Sequence, residues 1–95
     1  RNTGPAMSPF NAWVILKALE TLELRVEKHT RNAQAVAEAL ERHPRVRQLR
    51  YPGLASHPQY ALARRQMNAG GPMIAFEIAG GKEAAFRFLN RLRLI

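Results

Sequence analysis

The sequence contains no aspartate and no cysteine, and all of its acidic residues are glutamate. Without cysteine these residues hold no disulfide framework, zinc-thiolate site or thiol nucleophile. Without aspartate a Ser-His-Asp triad and an EF-hand loop are excluded too. No apolar run approaches the ~20 residues of a membrane-spanning helix. The stretch Arg1–Pro9 has no apolar segment of the signal-peptide kind.

What is present is 95 residues of ordinary globular composition, 46% apolar and 23% charged. Lysine and arginine number 15 against 7 glutamates, a formal net charge of +8. The chain opens at Arg1 without an initiator methionine. It stops at Ile95 inside the apolar run Leu92, Leu94, Ile95. The expectation is a piece of a longer protein, since native C-termini commonly trail off in polar residues.

Gly4 and Pro5 mark residues 1–7 as a connector. Ser8-Pro9 is a helix start: the serine caps free N–H groups and the proline costs no hydrogen bond there. The helix runs to Leu19. Apolar groups nearly all round between Ala12 and Leu16 predict burial on more than one side. A second, amphipathic helix is predicted from about Glu23 to Arg42. Leu22, Val26, His29, Ala33, Val36, Ala37 and Leu40 mark its apolar stripe, and Pro44 closes it. On its outer face Glu27 and Arg31 form an i, i+4 pair in the favourable order.

Val46–Tyr51 reads as a short strand of imperfect alternation, with Val46 and Leu49 on opposite faces. Ser56-His57-Pro58 reads as a capped start for a helix from Pro58 to Met67. Met73–Ile78 is the clearest strand, with Ile74, Phe76 and Ile78 on one face. A last helix, Lys82 to about Arg93, places Ala85, Phe88, Leu89 and Leu92 on one stripe. The order is helix, helix, strand, helix, strand, helix: an α+β chain. Two strands make no stable sheet alone, so Leu94-Ile95 reads as the start of a third.

Few residues offer chemistry. His29, His43 and His57 fit no metal-ligand spacing. His29 falls on the apolar stripe and reads as a half-buried structural histidine. His43 and His57 precede prolines and read as solvated turn residues. Glu77 has no second carboxylate at useful spacing for acid–base work. Gly70-Gly71 and Gly80-Gly81 form no phosphate-binding loop and read as turns around the second strand. Ser8 has no base nearby in sequence and is better used as a cap.

The basic residues Arg45, Arg47, Arg50, Arg64, Arg65, Arg87, Arg91 and Arg93 raise a second class, a small nucleic-acid-binding module. They are spread over several elements rather than gathered on one. Aromatics are only 7%, and Trp13, Phe76 and Phe88 are wanted for the core. This reading is therefore the alternative, and the expectation is no nucleic-acid partner.

Read in order, certain blocks resemble a known family. They are Ser8-Pro9-Phe10-Asn11-Ala12-Trp13, Leu19-Glu20-Thr21-Leu22 and Arg25, His29, Asn32-Ala33. Further along stand Tyr51-Pro52-Gly53-Leu54, His57-Pro58-Gln59-Tyr60, Leu62-Ala63, Arg65-Gln66-Met67 and Gly70-Gly71. Phe76-Glu77 before Gly80-Gly81 completes the series. Together they resemble the Cys/Met-metabolism family of pyridoxal-phosphate enzymes over essentially the whole chain. Ala18 departs from the glycine usual in the family; alanine is the better helix former by about 1 kcal/mol.

The resemblance implies part of an aspartate-aminotransferase-like fold (fold type I). Residues 1–43 would be a helical connector from a large domain. Residues 44–95 would be an incomplete small C-terminal domain, helices on an antiparallel sheet. It implies pyridoxal 5'-phosphate as cofactor of a parent enzyme, with none bound to this piece. The implied reaction makes homocysteine from O-succinylhomoserine and sulfide in methionine biosynthesis. Alternatives in the family use the O-acetyl ester, form cystathionine, or eliminate from methionine. The implied partners are the remainder of the chain, further copies in a cytoplasmic homotetramer, the homoserine ester and sulfide, with no membrane. The cofactor lysine of the family stands in a Ser-x-Thr-Lys context absent here, so Lys17, Lys28 and Lys82 are not assigned that role. No catalytic, cofactor-binding or metal-binding residue is carried over, and this piece alone is expected to be inactive.

Overall fold

The computed structural model describes residues 6–94. The elements follow the order read from the sequence: α1 (Pro9–Leu19), α2 (Leu22–Glu41), β1 (Val46–Arg50), α3 (Tyr60–Gln66), β2 (Ala75–Ile78) and α4 (Gly81–Leu89). The Ser8 hydroxyl accepts from the Asn11 amide at 3.2 Å, so α1 starts as its sequence dictates. α1 and α2 are separate helices, broken at Glu20–Thr21. The Arg25 guanidinium spans the break and donates to the Ala18 carbonyl at 2.6 Å.

β1 and β2 pair antiparallel, with Val46 opposite Ile78 and Leu49 opposite Phe76. Directly opposed residues share a face, so Val46 and Leu49 lie on the same side. This corrects the alternation expected for the strand. The register shifts between Val46 and Gln48: an extra residue at Arg47 forms a bulge and turns Val46 back to the helix side. α2 and α4 cover that side of the sheet, while Gln48, Arg50, Ala75 and Glu77 stay exposed.

The core is small. Ala33 and Ala37 of α2 meet Tyr51 and Leu54, which follow β1, with Leu49 and Ile74 packed against them. Two alanines one turn apart remove bulk from α2 and let the Tyr51–Leu54 loop come close. Phe76 of β2 and Phe88 of α4 meet edge to face, centroids 5.8 Å apart.

Several expectations are corrected. α1 buries none of its residues; Trp13 is 53% and Phe10 68% exposed. The reason is that α1 packs against no described element except α2. The radius of gyration is accordingly 18.2 Å, against about 13 Å for a compact chain of this length. His29 is exposed rather than half-buried, because core contacts on α2 begin only at Thr30. Ser56 caps no helix: its hydroxyl donates to the Glu41 carboxylate, and α3 begins at Tyr60 after a series of turns. α4 ends at Leu89, where bonds from Arg91 to Phe88 and from Leu92 to Leu89 tighten the chain into turns. β2 begins at Ala75 rather than Met73. Leu94 is fully exposed and outside any strand, and Ile95 lies outside the described residues.

Candidate functional site

Tyr51 organises the loop side of the molecule. It is fully buried, and its hydroxyl donates to the Gly71 carbonyl at 2.9 Å. Burial pushes its phenol pKa above the usual 10.0. The bond ties the end of β1 to the chain just before β2 and so closes the excursion that carries α3. Gly70 is required where it crosses the ring. A Cβ there would sit 2.8 Å from Tyr51 Cζ and 2.7 Å from the Gly53 nitrogen. The sequence reads Tyr51 as the end of a strand and Gly70-Gly71 as a turn; that the two, so far apart in the chain, form one clasp is tertiary information.

Two grooves flank this framework. Beside the clasp, Thr30, Arg31, Gln34, Tyr60, Arg64 and Met67 help to line a groove of about 240 Å³. On the helix side of the sheet, a groove of about 370 Å³ opens between the C-terminal end of α2 and α4. Its floor is apolar, and Arg45, Arg87 and Arg91 stand at its edge.

The candidate basic residues are thus divided. Arg45, Arg87 and Arg91 border one groove, Arg64 another, and Arg47 and Arg50 line a shallow depression with Glu41 and Ser56. The histidines are not gathered either. His43 Nδ1 accepts from the Arg45 amide at 3.2 Å and His57 Nδ1 from the Gln59 amide at 3.1 Å, both local turn bonds. No group of three or more histidine, glutamate, aspartate or cysteine side chains among the described residues could hold a metal ion. Glu77 projects from the exposed face of the sheet. The Glu27–Arg31 pair forms at 3.7 Å, with both side chains well exposed.

Helices on one face of an antiparallel pair, preceded by a long helical segment, define an α+β fragment. The sequence model of the "Cys/Met metabolism PLP-dependent enzyme" family matches residues 1–95, and the chain belongs to that family. It is 54% identical over 99 residues to O-succinylhomoserine sulfhydrylase of Mycobacterium tuberculosis, covering 100% of this chain and 24% of the relative. It is 53% identical to L-methionine gamma-lyase of Porphyromonas gingivalis, covering 97% of this chain and 23% of the relative. The fold superposes on cystathionine gamma synthase of Xanthomonas oryzae pv. oryzae, solved with aminoacrylate and cysteine. The TM-score is 0.87 at 46% identity, over 90% of this chain and 22% of that one. The chain therefore carries part of the PLP-dependent transferase fold and spans about a quarter of the length of its relatives.

The described lysines do not fit as a seat for pyridoxal phosphate. Lys17 is exposed and paired with Glu20 at 2.8 Å. Lys82 lies over the Phe86 ring, 5.8 Å from its centroid, on the exposed side of α4. Lys28 is exposed on α2. None lies in an enclosed polar pocket where its amine would be desolvated and activated.

Proposed function

We propose that this chain is part of a pyridoxal-phosphate enzyme that makes homocysteine from O-succinylhomoserine and sulfide, a step toward methionine. Residues 1–43 link its large domain to a small C-terminal domain begun by residues 44–95. The carrying observation is the 54% identity to an O-succinylhomoserine sulfhydrylase across all of this chain. The cofactor, the lysine that holds it and the substrate-binding groups belong to other parts of the polypeptide, in keeping with the unsuitable placement of Lys17, Lys28 and Lys82. Within the enzyme, residues 6–94 have a structural task. The Tyr51 clasp and the α2–sheet packing fix the small domain against the connecting helices. We place the enzyme in the cytoplasm as a homotetramer acting on small molecules, without nucleic-acid or membrane partners.

The test is a substrate comparison on the purified native polypeptide. Homocysteine should form from O-succinylhomoserine plus sulfide faster than from the O-acetyl ester. Preference for the O-acetyl ester, or methanethiol release from methionine as the main activity, would replace this substrate assignment. The second outcome carries weight because the methionine gamma-lyase match is nearly as strong.

A further inference from the structure

We infer that the groove between α2 and α3 binds a short-chain dicarboxylate, with a guanidinium at each end and the methylenes of the ligand between them. The groove exists because α3 stands off from the molecule. No other described element packs closely on α3. Its place is set at the base of the excursion, where the Tyr51 hydroxyl meets the Gly71 carbonyl at 2.9 Å. The space left between the helices is about 240 Å³. Sites for drug-sized ligands run to ~300–1,000 Å³, so this one suits a smaller molecule.

Cations and donors converge on the groove from both walls. Thr30 and Arg31 come from α2, Tyr60 and Arg64 from α3, and Asn68 from the chain just beyond α3. No carboxylate lines it. Arg31 meets Glu27 at 3.7 Å with both side chains exposed, and Arg64 has no ion-pair partner among the described residues. The side chains of Thr30, Tyr60 and Asn68 make no hydrogen bond to another described residue, so their donors are open to a ligand. Tyr60, Ala63, Arg64 and Met67 follow one another at i, i+3, i+4 and i+7, so polar and apolar groups share the side of α3 that faces α2.

This combination selects the ligand. A guanidinium is a planar fork that matches a carboxylate with two parallel hydrogen bonds. Two such forks on opposite walls ask for two carboxylates. The lining between them is apolar, from Pro52, Ala63 and Met67, and takes a short methylene chain. A monocarboxylate leaves one fork unpaired, and inorganic phosphate leaves the apolar lining unused. The acyl group released from the proposed succinyl ester is a dicarboxylate of this kind, so the reaction would supply the ligand. That link rests on the proposed substrate, whereas the binding itself does not.

The test is a titration of the native polypeptide carrying 13C-methyl methionine, read by NMR. Met67 lines the groove, and its methyl signal is assigned by its loss in Met67→Leu. Met73 is 79% exposed, lies outside the groove and serves as the control. Succinate should shift the Met67 signal to saturation and leave that of Met73 in place. R64Q and R31Q should each weaken this response about tenfold, the worth of a charge-assisted hydrogen bond. Both arginines are exposed, so neither exchange disturbs the core. R50Q, outside the groove, should change nothing. Butyrate and inorganic phosphate should each bind about tenfold more weakly than succinate. No shift at Met67, an equal response to butyrate or phosphate, or a response untouched by R64Q and R31Q overturns the inference. The enzyme reading fails separately, as a native polypeptide that makes no homocysteine from either ester, whatever the titration returns.

Discussion

The hydroxyl of Tyr51 donates to the carbonyl oxygen of Gly71 at 2.9 Å, joining the end of one strand to the approach of the other. Tyr51→Phe removes the bond and leaves the ring in place. The expected loss is about 1 kcal/mol, the net worth of an ordinary hydrogen bond, read from the urea midpoint. The sign of the pH dependence follows from the raised phenol pKa. The folded state holds its proton more tightly than the unfolded chain, whose phenol titrates near 10.0. The contribution is complete below that value and is lost as pH rises through the folded pKa. The stability difference between wild type and Tyr51→Phe should therefore shrink as pH is raised above the unfolded value. A constant difference across that window would show that the hydroxyl does not titrate with unfolding.

Gly70 and Gly71 are adjacent yet demand glycine for different reasons. At Gly70 a methyl group meets the Gly53 backbone and the Tyr51 ring below 3 Å, so the chain itself must shift. At Gly71 there is open space, but φ is +76°. Gly71→Ala should cost about 1–2 kcal/mol of backbone strain. Gly70→Ala should cost about 1–3 kcal/mol, as overpacking does, and should also weaken the effect of Tyr51→Phe in the double variant. Additive losses in thermal denaturation would separate Gly70 from the clasp.

Phe76 and Phe88 meet at 88° with centroids 5.8 Å apart. A double-mutant cycle, each phenylalanine replaced by leucine, should return a coupling of about 0.5–1.5 kcal/mol. A coupling near zero would mean that the two rings stabilise the structure only through apolar burial.

Element types and order were legible because periodicity is strong in α2 and β2. Ser8-Pro9 at the start of α1 states its capping chemistry locally. What was not legible depends on distant partners. The core alignment of Val46 with Leu49 needs a register with β2, and nothing in Val46–Arg50 announces it. His29 continues the apolar spacing of α2 but lies before the point where the sheet layer begins. Trp13 and its neighbours read as core residues, yet no described element except α2 packs on α1. The arginines were visible one by one. Only the pairing of the sheet and the docking of α4 bring Arg45 to the same groove as Arg87 and Arg91.

The bulge at Arg47 lets β1 carry one residue more than its partner while Val46 and Leu49 keep the same face. Removing that one residue would leave Val46 two positions before Leu49, so strict alternation would keep the valine on the helix side and only the bulge would be lost. Substituting Arg47 leaves the residue count, and hence the facing of Val46, intact. A single-codon deletion at this point would therefore straighten the strand without turning any core residue outward, a change that no exchange of side chain at Arg47 can make.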